Sequence, residues 1–361
     1  MTQPIRALTI SSRNGPYQVH FDLGLSAALA ASRVDGPTWL LIDAAVFALH
    51  RDAIVASFPE PERIHAVVAT EENKSYERIG PIFTWLLSTG FRRDGILVAM
   101  GGGIIQDIAS FVATVIMRGV RWRLIPTTLL SQCDSCIGAK SSINIDRFKN
   151  QLGSFYAPAD IYLITDLLRT LPDEAMRSGF GEIVKFHLLD GPSSWKDIQG
   201  KLRWDDVSLL QSLIHTSLAI KKRSIETDEF DRGVRNLLNY GHTFGHAFES
   251  ATSFAIPHGL AVAMGMSAAT FISERLGIAP KGHYREVDQV LRKLYSPCIV
   301  FLAKASVETI IAAMSTDKKN VAGATFVNLT RGPGQMEKTK VDLEQQIRPL
   351  LTSYLEQLSA K

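Results

Sequence analysis

Apolar residues recur along the first half of the chain in short, β-branched runs at 39–43, 65–69, 95–100, 122–125 and 161–164, separated by longer stretches of helical periodicity. Short runs of this kind alternating with longer helical stretches predict a parallel sheet flanked by helices. Two earlier runs, 5–11 and 17–22, predict a hairpin ahead of that sheet. After Pro172 the period lengthens, and 208–226, 234–253, 259–276 and 284–295 are expected to be helices. The pattern predicts an α/β domain over 1–174 and an all-α domain over 175–361.

Composition narrows the class without changing this picture. At 361 residues the chain exceeds what one hydrophobic core usually organises, which agrees with two domains. Its 46% hydrophobic and 21% charged residues are ordinary for a globular protein. A net charge of +3 without long basic blocks argues against a nucleic-acid partner. No apolar signal core opens the sequence and no uncharged run reaches membrane-spanning length, so no membrane association and a cytoplasmic location are expected. Three scattered cysteines do not form a disulfide framework. The single Cys133-x-x-Cys136 pair lacks the second pair of a structural zinc site and the setting of a redox motif.

The densest chemistry lies between Arg235 and His258, where three imidazoles, a guanidinium and the Asn239 amide fall within 24 positions. His242 and His246 are four apart in a predicted helix, so both rings can leave one face toward a metal. A catalytic zinc takes three protein ligands, and the spacing alone leaves open which histidines serve. Glu182, three residues before Lys185, is a carboxylate able to complete such a site, although a surface ion pair is the ordinary meaning of that spacing. In the first half, Gly101, Gly102 and Gly103 follow an apolar strand and open a helix, which suits a phosphate at helix N-terminal amides. The spacing is not that of the common dinucleotide fingerprint, but Asp43, Glu71 and Lys74 stand at the ends of neighbouring strands. Polar groups crowd 126–150, as a phosphorylated, polyhydroxylated ligand requires.

Together these segments resemble the 3-dehydroquinate synthase family of sugar-phosphate cyclases. The resemblance rests on Gly101-Gly-Gly-Ile-Ile-Gln-Asp107, Met117-Arg-Gly119, Pro126-Thr-Thr-Leu-Leu130, Asp134-Ser-Cys-Ile-Gly-Ala-Lys140, Lys149-Asn150, Gly181-Glu-Ile-Val-Lys185, Arg235 to Glu249, Pro257-His-Gly259 and Asp317-Lys-Lys319, in order. It implies a Rossmann-like nucleotide-binding domain, a helical metal-binding domain and a homodimer. It further implies metal ligation by Glu182, His242 and His258, with zinc or cobalt as the ion. NAD would meet Asp43, Glu71, Lys74, Gly101, Gly102, Gly103, Asp107, Thr127, Thr128, Lys149 and Thr170. Substrate would meet Asp134, Lys140, Asn150, Lys185, Lys221, Arg235, Asn239 and His246, with Lys318 or Lys319 and, from a partner subunit, Arg118. His246, Lys140, Lys185 and Asp231 would be catalytic, Asp231 standing where the family usually has glutamate.

The implied reaction turns 3-deoxy-D-arabino-heptulosonate 7-phosphate, a phosphorylated sugar acid, into 3-dehydroquinate with loss of phosphate. Arg235 favours that carboxylated substrate, because a guanidinium clamps a carboxylate through two hydrogen bonds. Departures from the family pattern are Gln106 for glycine, Cys136-Ile-Gly-Ala for Ser-x-Gly-Gly, Ser141-Ser-Ile for Thr-Gly-Val, and Asp231. They keep in view a divergent cyclase acting on an amino analogue or on sedoheptulose 7-phosphate. A metal-dependent polyol dehydrogenase and a binding protein that has lost turnover are the remaining classes.

Overall fold

The computed structural model describes residues 7–146, 148–315 and 325–359; Lys318 and Lys319 lie outside the described residues. The chain forms two compact units, Met1–Leu171 with Leu210–Phe230, and Pro172–Leu209 with Asp231–Lys361.

The first unit is built on β1 (Ala7–Ile10), β2 (Tyr17–His20), β3 (Thr38–Asp43), β4 (Ile64–Val67), β5 (Ile96–Gly101), β6 (Trp122–Pro126) and, after a small hairpin of β7 (Ile143–Ile145) and β8 (Phe148–Leu152), β9 (Asp160–Tyr162). These seven sheet strands lie in the order β1-β2-β9-β6-β5-β3-β4, every pair parallel except β1 with β2. All six residues of β5 are buried, which is why its sequence is apolar without alternation. Helices α1 (Leu25–Ser32), α2 (Ala44–Ser57), α3 (Tyr76–Ser88) and α4 (Gly103–Val115) connect the strands. From β3 the chain moves to β4 on one side and then to β5 on the other. The carboxyl ends of β3 and β5 therefore flank the point where strand order reverses, where open α/β sheets bind ligands. The β7–β8 hairpin occupies a stretch whose polar sequence reads as loop; its strands pair Ile143 with Leu152 and Ile145 with Phe148.

The second unit contains α5 (Asp173–Asp190) and α6 (Pro192–Ile198), followed by α7 (Val207–Thr227), whose residues from Leu210 onward belong to the first unit. This departs from a single boundary at 174. Side chains on and just beyond α7 explain it: the His215 ring meets Phe21, Lys221 pairs with Asp134, Glu226 accepts from the Ser11 amide, and Phe230 meets Phe155. Next come α8 (His242–Ala251), α9 (His258–Arg275) and α10 (His283–Tyr295). Residues Gly259 to Ser273 of α9 are all buried, so this helix carries no polar stripe and forms the centre of the unit. Among the described residues of this unit the strands are those of one hairpin, β10 (Thr325–Thr330) with β11 (Met336–Val341), turned by Gly332 and Gly334.

The expected helix over 234–253 is interrupted. Val234–Asn239 is a 3-10 turn and Gly241, at φ +81°, reverses the backbone before α8. Close packing enforces the break, because a Cβ on Gly241 would stand 2.5 Å from the Met266 side chain and 2.7 Å from the Val262 carbonyl of α9. Among the described residues no single helix is long and apolar enough to cross a membrane.

His187, 1% exposed in α5, has its Nδ1 bonded by the Ser194 hydroxyl at 2.9 Å, while its Nε2 is buried without a partner. Burial lowers its pKa below the ordinary 6.5, so the folded state binds this proton less readily than the unfolded chain. The stability this neutral imidazole confers is present above 6.5 and lost as pH falls through and below it. Denaturant unfolding of the wild type and of His187→Asn, which keeps an acceptor for Ser194, should therefore show the wild type losing ground to the variant on acidification. A difference independent of pH would refute the assignment.

Candidate active site

Three helices bring the expected metal ligands together, and each ligand sits beside a glycine that lets two backbones touch. A Cβ on Gly181, next to Glu182, would lie 2.1 Å from the Gly259 carbonyl; one on Gly259, next to His258, would lie 1.9 Å from the Ser178 carbonyl. Hence α5 and α9 cross backbone to backbone at the ligand positions. Glu182 is 1% exposed; its Oε2 pairs with Nζ of Lys185, while its Oε1 lies 3.5 Å from Nε2 of His258 and 3.8 Å from Nε2 of His242. The ion pair is buried, unlike the surface pair that its spacing ordinarily means.

The rings of His242, His246 and His258 form a triangle with centroid separations of 5.4, 5.4 and 5.6 Å. One nitrogen from each lies within 4.8 Å of the others. Four-coordinate zinc with bonds near 2.1 Å places neighbouring ligand atoms about 3.4 Å apart. Glu182 Oε1 with the His242 and His258 nitrogens, or the three imidazoles together, are the groups that could hold such an ion. His242 has its Nδ1 3.4 Å from the Tyr240 carbonyl and its Nε2 toward Glu182. The Nδ1 of His258 lies 3.3 Å from Glu249. Burial opposes a positive charge on His258, but the hydrogen bond and charge of Glu249, joined by the charge of Glu182, outweigh it and raise its pKa. His246 is exposed, one helical turn from His242.

Arg235 is buried in the 3-10 turn, with Asn239 at its end, and this turn is held by the Asn328 amide bonding the Asn236 carbonyl. Asp231 adopts φ +54° just before it.

In the first unit Asp43, Gly101 and Thr127 stand at or just beyond the carboxyl ends of β3, β5 and β6. Asp43 closes β3 and caps α2 by accepting from the Ala45 amide. Gly101 and Gly102 are packed against Ile105 and Thr128, leaving no room for a Cβ, whereas a Cβ on Gly103 would meet nothing within 4 Å. The start of α4 thus has open space over its first residue, as an approaching phosphate needs. Thr127 donates its amide to the Gly101 carbonyl, and Thr128 Oγ1 lies 2.8 Å from Ser131 Oγ. The Lys74 ammonium is bonded to Asp107 at 3.2 Å and Asn150 at 3.0 Å, with Glu71 at 3.4 Å. Burial pushes Asp107 up to about 6, against the charge and hydrogen bond of Lys74 and the bonds from Ser142. Lys149 is on β8, and Thr170 ends a 3-10 turn with its hydroxyl on the Leu167 carbonyl. Arg118 is exposed at φ +67° in the turn that follows α4.

Lys221 donates to both the carbonyl and the carboxylate of Asp134 at 2.6 Å. Asp134 lies in a π-helical turn, Ser131–Ser135, of a kind often found at functional sites. Gln106 grips this turn, its amide nitrogen donating to the Ser135 carbonyl at 2.7 Å while its oxygen accepts from the Ser135 hydroxyl at 2.9 Å. The glutamine that departs from the family pattern is therefore a bonded strut. Cys133 and Cys136 are buried thiols outside any disulfide, and burial pushes Cys136 up to about 12, which makes redox or metal chemistry at its sulfur unfavourable.

Ala139, where the family commonly has glycine, sits at φ +62° just before the exposed Lys140. An L-residue there costs about 1–2 kcal/mol, partly offset by glycine's greater freedom in the unfolded chain. Ala139→Gly should raise unfolding stability by about 0.5–1 kcal/mol in a denaturant titration. A destabilised variant would show that the side chain contributes more than its backbone strain costs.

Ser142, just before β7, donates amide and hydroxyl to Asp107 and was given no role from the sequence; Asn144, one of the polar groups that crowd 126–150, lies in β7, binds Glu71 and accepts from the Asn150 amide. Glu249 had a legible signal, since 242, 246 and 249 share one helical face.

Residues 64–178 match the family described as 3-dehydroquinate synthase N-terminal, and residues 179–320 the one described as 3-dehydroquinate synthase C-terminal. The 3-dehydroquinate synthase of Rhodospirillum rubrum is 35% identical over 345 residues, covering 91% of this chain and 89% of that one. That of Clostridium tetani is 38% identical over 281 residues, covering 76% and 73%. Among solved structures, 2-epi-5-epi-valiolone synthase from Streptomyces hygroscopicus subsp. jinggangensis 5008, with NAD+ and Zn2+ bound, aligns with TM-score 0.83 at 23% identity over 98% of this chain and 100% of that one. A 2-deoxy-scyllo-inosose synthase complexed with carbaglucose-6-phosphate, NAD+ and Co2+ aligns with TM-score 0.82 at 20% identity, covering 97% and 99%. Glycerol dehydrogenase from Schizosaccharomyces pombe aligns with TM-score 0.63 at 14% identity, covering 92% and 88%. These structural likenesses speak for the fold.

Proposed function

Because the chain belongs to the 3-dehydroquinate synthase family, we propose that it converts 3-deoxy-D-arabino-heptulosonate 7-phosphate to 3-dehydroquinate and phosphate, using NAD and a divalent zinc or cobalt ion. The observation that carries this reading is the convergence of Glu182 Oε1 with the Nε2 atoms of His242 and His258, beside a buried lysine. A carboxylate with two imidazoles suits either metal.

When bound, NAD supplies a reversible hydride acceptor and the metal a Lewis acid for substrate oxygens. Glu182, His242 and His258 hold the metal in this reading, and Asp43, Glu71, Lys74, Gly101, Gly102, Gly103, Asp107, Thr127, Thr128, Lys149 and Thr170 hold NAD. Arg235 clamps the substrate carboxylate. Lys140, Asn150 and Lys221, the last steadied by Asp134, bind phosphate and hydroxyl oxygens, as do Lys185 and Asn239. His246, the exposed ring of the cluster, relays the proton lost as phosphate leaves, with Asp231 in support. Ring closure needs mainly that the chain hold the two reacting ends together. Arg118 serves the other copy of a homodimer, and cysteines outside any disulfide suit the reducing cytoplasm.

Metal-loaded protein given substoichiometric NAD should complete many turnovers per NAD with no net NADH. Accumulation of one NADH per turnover would instead make the chain a polyol dehydrogenase.

A further inference from the structure

Glu249 lies in α8, three residues after His246 and seven after His242, and its two carboxylate oxygens stand 3.3 and 3.4 Å from Nδ1 of His258. We infer that Glu249 is a positioning residue: it accepts the Nδ1 proton of His258 and thereby leaves the Nε2 lone pair for a metal ion held together with Glu182.

A neutral imidazole has a single nitrogen lone pair, so only one tautomer of His258 can bind a metal through Nε2. A ring free to exchange tautomers spends part of its time presenting an N–H to the site. Acceptance of Nδ1–H removes that state, sets the ring plane and makes the opposite nitrogen a better donor. His242 meets the same requirement through the main chain, its Nδ1 facing the Tyr240 carbonyl at 3.4 Å. His258 meets it through a side chain. Burial supports a specific role, since the Glu249 side chain is only 13% exposed, less than a solvated surface carboxylate. The His246 ring, stacked on His258 at 5.6 Å and 29°, further restricts the plane that Glu249 sets.

The inference rests on reading the cluster as a metal site, and zinc affinity tests the two separately. Metal-free wild type, Glu249→Ala and Glu249→Gln are titrated with zinc against a chromophoric chelator, and the His258 tautomer of the metal-free proteins is read from imidazole nitrogen NMR shifts. The expected result is zinc binding about 10- to 100-fold weaker in Glu249→Ala, with tautomer exchange at His258. Glu249→Gln, whose amide oxygen can still accept from Nδ1, should stay near the wild type in both readouts. Unchanged affinity and tautomer in Glu249→Ala would overturn the role of Glu249 while leaving the metal site standing. Equal weakness of the Gln and Ala variants would overturn the hydrogen-bond mechanism. A wild type that does not bind zinc would remove the metal reading and this inference with it.

Discussion

Replacing Glu182 with alanine should abolish tight zinc binding and destabilise the metal-free protein by about 3–5 kcal/mol. Both effects come from one carboxylate with divided duties. Its Oε2 neutralises Lys185, which is 3% exposed, and its Oε1 faces the two imidazoles. Without it, the lysine charge stays in a low-dielectric interior where the face of Phe186, 4.6 Å from Nζ, is a poor substitute for a carboxylate. The remaining donors would be imidazoles alone. Zinc titration and denaturant unfolding of the metal-free variant measure the two losses independently. Full zinc affinity in Glu182→Ala would transfer the metal to the triangle of His242, His246 and His258, whose nitrogens also lie close enough to share an ion.

The second large effect is expected at Arg235, which is 3% exposed in the 3-10 turn Val234–Asn239, seven residues before His242. Truncation to alanine should lower kcat/KM for the carboxylated substrate by about 2–5 kcal/mol, roughly 30- to 5,000-fold. Arg235→Lys should recover only part of the loss, since an ammonium cannot offer two parallel donors. An alanine variant with unchanged kcat/KM would remove the carboxylate from the account and favour a cyclase for a neutral sugar phosphate.

Much of this was legible in the sequence because its signals are local. Each central parallel strand announced itself as an apolar run, and β3, β5 and β6 lie within a residue or two of the expected positions. The helices that carry histidines were also visible from their period. What escaped was set by contacts between distant segments. Gly241 breaks the 234–253 helix because α9 presses on it, and nothing within 234–253 reveals α9. The polar strands β7 and β8 are held by pairing with each other and by Lys74, Glu71 and Asp107, so their composition alone reads as loop. The passage of α7 into the first unit likewise depends on Asp134 and Phe21. Helical spacing offered His242 and His246 as a pair, and their nitrogens do lie with that of His258 within 4.8 Å of one another; Glu182, whose Oε1 faces His242 and His258, comes from α5, which no spacing within 234–258 reveals.

The measurement closest to the central claim is phosphate release by purified, zinc- or cobalt-loaded protein with catalytic NAD. It would compare 3-deoxy-D-arabino-heptulosonate 7-phosphate, its amino analogue and sedoheptulose 7-phosphate. Rapid release from the first alone, without net NADH, is the predicted result. Silence on that substrate with turnover of another would contradict it and place the chain in a different branch of the sugar-phosphate cyclases.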